Sequence, residues 1–167
     1  MMHTKARSVV GTDDQEFTTP TRDRLHMKFL LPLAITCLVS ACATSPVAFT
    51  AASPVAPSNL LEGYAAYARE TTRTVRVIVV RDSGMLGAAA SVKLSIDGKE
   101  VAKLWSSQRL ELFLPPSAYI FSVEPSPRLG GALVERDVLI SPNGKYAFRI
   151  SLDGSGSFSL QPSTQLQ

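Results

Sequence analysis

Cysteine and histidine are nearly missing from this chain: two of each occur in 167 residues, and all four lie within the first 42 positions. His3 and His26 precede an apolar run over residues 29–39, Cys37 falls inside that run, and Cys42 follows it. From residue 43 onward there is no thiol and no imidazole. That excludes a disulfide framework, Cys/His catalysis and ordinary zinc coordination there. A Walker loop, a dinucleotide fingerprint, a Gly-x-Ser-x-Gly elbow and a Ser-x-x-Lys pair are absent as well. Charge of one sign is also lacking. Residues 42–167 hold twelve Lys/Arg and ten Asp/Glu, a formal charge of +2, so neither nucleic acid nor a strongly acidic partner is implied. The apolar run has eleven residues and is interrupted by Pro32, whereas a spanning helix needs about 20.

What the run does have is the layout of a secretory signal, with Met27-Lys28 before it and the small residues Ser40 and Ala41 after it. Val39-Ser40-Ala41-Cys42 resembles the lipobox of bacterial lipoproteins. The resemblance implies that the Cys42 thiol is diacylated, that the chain is cut just before it, and that the new amine is acylated in turn. Each buried methylene contributes about 0.8 kcal/mol and a single chain binds only marginally, so three chains give stable attachment to membrane lipid. Ala43 stands where an Asp would mark retention at the inner membrane, which resembles cargo sorted to the periplasmic face of the outer membrane. Two readings compete. Ala41-Cys42-Ala43 also fits the A-x-A site of ordinary signal peptidase, which would release a soluble periplasmic protein, and the run could stay as an uncleaved anchor.

Residues 1–26 carry Asp13, Asp14, Glu16 and Asp23 where a short positive segment is expected. Translation from Met27 restores that segment, so 1–26 is expected to be a start-site artefact; the alternative is a genuine long leader. Residues 27–41 are then the signal peptide. Residues 42–59 comprise the lipidated Cys42 and a flexible Ala/Pro/Ser tether without charge, in which Ser45-Pro46-Val47-Ala48 recurs as Ser53-Pro54-Val55-Ala56. At about 3.1 Å per residue in polyproline II, its reach approaches about 50 Å, enough to hold a domain clear of the headgroups. Residues 60–70 suggest a short helix with Leu60, Tyr64 and Tyr67 on one face, weakened by Gly63.

Over residues 71–161 the hydrophobic period is two. Val75, Val77 and Val79 alternate, then Val92, Leu94 and Ile96, with Asp97-Gly98 a strong hairpin turn because both central residues of such a turn want positive φ. On the return, a strict two-residue turn would put Lys99 and Lys103 on the apolar face with Val101, a conflict that an edge strand or a bulge relieves. Leu110, Leu112 and Leu114 follow, then Tyr119, Phe121 and Val123, residues 134–140, the alternation Tyr146, Phe148, Ile150 and Leu152, and finally Phe158 and Leu160. Seven or eight short strands at regular spacing predict an all-β fold, a single antiparallel β-sandwich of Ig-like or transthyretin-like type, with 162–167 a loose tail. In the predicted faces Phe148 points inward and Arg149 outward, so Arg149→Ala should matter little.

The motifs Val79-Val80-Arg81, Ile96-Asp97-Gly98-Lys99, Val101-Ala102-Lys103-Leu104 and Pro115-Pro116-Ser117-Ala118-Tyr119 are similar to those of a family of small bacterial lipoprotein domains of unknown function. These are related in style to carboxypeptidase-regulatory and PEGA sandwiches, and Ser117 stands where that family usually has glycine. The resemblance brings no catalytic residue with it.

Candidate chemistry is thin. Asp153-Gly154-Ser155-Gly156-Ser157 has the look of a calcium loop but lacks further carboxylates, and reads as a hairpin turn. Asp82, Asp97, Glu100, Glu111, Glu124, Glu135 and Asp137 mostly alternate with apolar residues, as on solvated strand faces. Trp105, the only tryptophan, either stacks on a cell-wall sugar or caps the core. The loops Met85-Leu86-Gly87 and Arg128-Leu129-Gly130-Gly131 are open to partner contact or serve as plain connections. The expectation is a non-enzymatic envelope lipoprotein without cofactor or metal, anchored through Cys42 and touching an envelope protein. A peptidoglycan-binding module using Trp105 is the alternative, and a carboxylate-dependent hydrolase the third.

Overall fold

The computed structural model describes residues 44–84 and 88–166. Among them are nine strands: β1 (Ser53–Pro54), β2 (Val75–Arg81), β3 (Val92–Ile96), β4 (Lys99–Leu104), β5 (Gln108–Leu114), β6 (Ser117–Pro125), β7 (Val134–Ile140), β8 (Tyr146–Leu152) and β9 (Phe158–Pro162). One sheet has the order β1-β5-β2-β8-β9, the other β4-β3-β6-β7. Their inner faces share one core, built from Val77, Val79, Leu112, Leu114 and Ile150 on the first sheet and Val92, Leu94, Ile96, Phe121 and Ile140 on the second. The Phe121 and Phe148 rings meet across it at 5.4 Å.

The all-β expectation holds; its details need correction. There are nine strands instead of seven or eight, and the five-stranded sheet is mixed, with β1 parallel to β5 and β2 parallel to β8. The reason is countable. Six successive reversals separate β2 from β8, so β8 returns in the direction of β2 and takes the place beside it. The second sheet is antiparallel throughout.

The β3–β4 hairpin resolves its own conflict. Asp97 and Gly98 have φ of 48° and 75°, the left-handed pair a tight turn requires. The register then slips, so that Leu94 faces Ala102 while Ser95 faces Glu100. The extra residue, Val101, is a bulge that turns Ala102 and Leu104 inward and sets Lys103 opposite the outward Lys93. β4 is also an edge strand, and the segment before β2 covers that edge: Leu60 bridges Ala102, and the Leu61 N–H donates to the Val101 carbonyl at 2.8 Å.

This covering explains why the short helix expected over residues 60–70 takes the 3-10 form, over Glu62–Tyr67. Leu61 is extended while it pairs with β4, leaving room only for 3-10 turns at Pro57–Asn59 and Glu62–Tyr67. A Cβ at Gly63 would sit 2.7 Å from the Glu100 carbonyl oxygen, so the close approach of the turn to β4 requires glycine. Tyr64 and Tyr67 pack on the core.

The largest correction concerns the tether. Residues 44–52 form a strap whose Val47, Phe49 and Ala52 lie over the outer face of the five-stranded sheet, and Ser53–Pro54 joins the edge of that sheet as β1. Ala52 and Val55 are buried, and Val47 and Phe49 close over a second apolar cluster of Ile78, Val80 and Ala147. Apolar groups on that outer face need cover from water, and an uncharged Ala/Pro/Ser chain supplies it without burying a charge of its own. At the other end, β9 runs to Pro162 and the Ser163 N–H donates to the Ala147 carbonyl at 2.8 Å, so the start of the expected tail is docked as well.

Candidate functional site

Cys42, the expected lipid attachment point, lies outside the described residues, and so do Met85, Leu86 and Gly87. The strap that follows Cys42 is held from its first described residue. The Thr44 N–H donates to the Leu152 carbonyl at 3.0 Å, its hydroxyl donates to the same carbonyl at 3.1 Å, and the Leu152 N–H donates to the Thr44 hydroxyl at 3.1 Å. One residue on, Ser45 and Ser83 exchange backbone hydrogen bonds of 2.7 and 3.1 Å.

Further along, cations of the sheet clamp strap carbonyls. Arg109 donates to the carbonyls of Phe49, at 3.1 Å, and of Ala52. The guanidinium groups of Arg109 and Arg76 both lie over the Phe49 ring, 4.6 and 5.2 Å from its centre. Arg149 pairs with Asp82, whose carboxylate also accepts the Val47 N–H at 3.2 Å. Only 2% of the Asp82 side chain and 13% of that of Arg149 remain exposed. Burial pushes the Asp82 carboxyl up from its ordinary value, against the opposing pull of the Val47 N–H and the Arg149 guanidinium. The expected outward, dispensable Arg149 is therefore a correction: it points outward from the core, but into the strap.

Arg81 ties the two sheets at the same end. Its guanidinium donates to the carbonyls of Ala90 and Leu104, at 2.8 and 2.7 Å, and lies 5.8 Å from the Phe158 ring centre. Loss of solvent pulls its pKa down to about 10, which still leaves it charged at neutral pH.

The remaining carboxylates fall into separate local pairings. Glu100 and Glu124 meet across the Lys93 ammonium, at 2.6 and 2.7 Å, on the open outer face of the second sheet. Glu111 pairs with Arg76 at 3.0 Å, Asp97 accepts the Ile120 N–H at 2.8 Å, and Glu135 accepts the Ser122 hydroxyl at 3.1 Å, while Asp137 is exposed on β7. Asp153 accepts the Ser155 hydroxyl at 2.6 Å and the N–H groups of Ser155 and Ser157 at 2.9 Å each, which closes the β8–β9 turn and holds its carboxyl below the ordinary range. Among the described residues no group of three or more His, Cys, Asp or Glu is arranged to hold a metal. A cleft beside the strap is lined by Phe49, Arg76, Ile78, Lys145, Tyr146 and Gln165, with no carboxylate among its described lining.

Trp105 begins the tight β4–β5 turn, where its backbone N–H donates to the Gln108 side-chain oxygen at 2.9 Å and the residue is 39% exposed. Arg128, Gly130 and Gly131 are exposed in the β6–β7 connection, and Leu129 packs against the core. Sequence reasoning passed over an apolar patch on the outer face of the second sheet, Ile120 on β6 and Leu139 on β7, 45% and 68% exposed. Its signal was the unbroken triplet Val138-Leu139-Ile140, of which one member has to face out. No family model matches the chain, and no curated protein matches it.

Proposed function

We propose that this chain is a non-enzymatic lipoprotein of the bacterial envelope, acylated at Cys42 and anchored on the periplasmic face of the outer membrane. Its folded part is read as an Ig-like or transthyretin-like sandwich akin to the small lipoprotein domains related to PEGA modules, presented to an envelope protein. The observation that carries this is the motif Val39-Ser40-Ala41-Cys42 at the end of a short apolar run. Glu100 and Glu124 share the Lys93 ammonium on an open sheet face and the other described carboxylates lie in separate local contacts, an arrangement that favours recognition over hydrolysis. The apolar Ile120–Leu139 patch is the surface a protein partner would cover. Growth with a clickable fatty acid tests the anchor: the protein should carry the label and fractionate with membranes, and Cys42→Ser should lose both. An unlabelled protein with unchanged fractionation sinks the reading.

One observation favours a second reading, a peptidoglycan-binding module: the exposed Trp105 could stack its indole on a sugar ring. Salt-resistant retention on purified cell wall, abolished by Trp105→Ala, would select it.

A further inference from the structure

We propose that the end of the domain carrying Thr44, Trp105 and Leu133 is a membrane-contact rim, so that the two sheets stand end-on against the lipid surface. The inference rests on the lipid anchor proposed at Cys42 and adds to it a surface and an orientation. Ala43 alone separates Cys42 from Thr44, and two residue steps span at most about 7 Å of fully extended chain. Thr44 cannot lengthen that leash, because its backbone and hydroxyl are both bonded to Leu152 and the next residue is bonded to Ser83. Gly84 packs so closely that a Cβ there would lie 2.9 Å from the Thr44 methyl carbon. The described chain therefore starts at one fixed point, beside the C-terminal end of β8.

Strand direction decides what else lies at that end. β2, β4, β6 and β8 finish there, and β3, β5, β7 and β9 begin there. The turns at 105–107, 126–133 and 153–157 consequently share the level of Thr44. Two of the four exposed large apolar side chains of the described residues stand on this rim, Trp105 and Leu133, the latter 53% exposed. Indole favours the headgroup level, where its ring is apolar and its N–H stays wet. Arg128 adds an exposed cation, while the Asp153 carboxylate is turned into its own loop by Ser155 and Ser157. The turns at 97–98, 115–116 and 141–144 then face away from the lipid, further by the length of a seven-residue strand, about 20 Å.

The test uses the full lipidated protein, extracted from cells and reconstituted into phosphatidylethanolamine/phosphatidylglycerol vesicles. As the only tryptophan, Trp105 reports its own surroundings. In matched vesicles whose acyl chains carry bromine near the headgroup, Trp105 emission should drop sharply. A fluorophore on Ser141→Cys, at the opposite end, should keep its emission. Protein that floats with the vesicles and carries acyl chains, yet shows equal Trp105 emission in both lipids, overturns the rim and leaves the anchor standing. Equal quenching at both ends overturns the orientation. Protein that carries no acyl chain and does not float overturns rim and anchor together.

Discussion

Phe148 and Arg149 are neighbours in β8 that point to opposite faces, and the structure gives each a partner across a packed layer. Phe148→Ala opens a cavity against Phe121 and should destabilise by about 3 to 5 kcal/mol. Arg149→Ala leaves the Asp82 carboxylate buried without its cation and should cost about 3 kcal/mol in chemical denaturation at neutral pH. Adding Asp82→Asn to Arg149→Ala should recover part of that loss; if the single arginine variant is as stable as wild type, the strap clamp is not an energetic unit. Asp82 also sets a pH dependence. Its folded-state pKa is raised, so the folded protein holds the proton more readily, and the contribution of Asp82 is full below the unfolded pKa and is lost as pH rises through the folded one. Asp82→Asn removes that titration. The melting-temperature difference, variant minus wild type, should therefore grow more positive from about pH 3 to about pH 7, and a flat difference refutes the shift.

The strap is the element that changes how the N-terminal part of the domain is understood. A polyproline spacer would be cut readily by elastase in its Ala-rich stretch, whereas a docked strap should resist until the whole domain unfolds. Cleavage within 44–56 at temperatures far below the melting point would restore the spacer. A second consequence lies at the 3-10 turn over β4. Gly63→Ala forces a methyl group against the Glu100 carbonyl and should destabilise by about 1 to 3 kcal/mol, although alanine is the better helix former. Most strands were legible because one side of each faces the core and the other faces water: Leu110, Leu112 and Leu114 alternate with half-buried Arg109, Glu111 and Phe113. β2 was legible only in half. Val77-Ile78-Val79-Val80 is continuous apolar sequence, the mark of a strand covered on both faces, but the cover is supplied by Pro-containing segments whose composition alone reads as linker. Composition reports what a segment would do alone, and tertiary cover overrides it.

At the scale of the molecule, six reversals return β8 to the side of β2, and the strap then seals the outer face of the mixed sheet. Among the described residues nothing lays such a cover over the outer face of the antiparallel sheet. There Lys93, Glu100 and Glu124 form an open charge cluster toward one end, and Ile120 and Leu139 form an apolar patch toward the other, with Asp97 and Asp137 beside it. A surface divided in this way suits a partner that buries the apolar half and leaves the charged half wet. A photoreactive residue placed at Leu139 should form a discrete crosslinked species in intact cells, and the same residue at Lys103, on the charged side, should not. Ile120→Lys should abolish the Leu139 adduct while shifting stability by no more than about 0.5 kcal/mol, because its side chain is already half in water. Loss of the adduct together with a large drop in melting temperature would mean that Ile120 serves the fold, and equal adducts at both positions would mean that the apolar patch selects nothing.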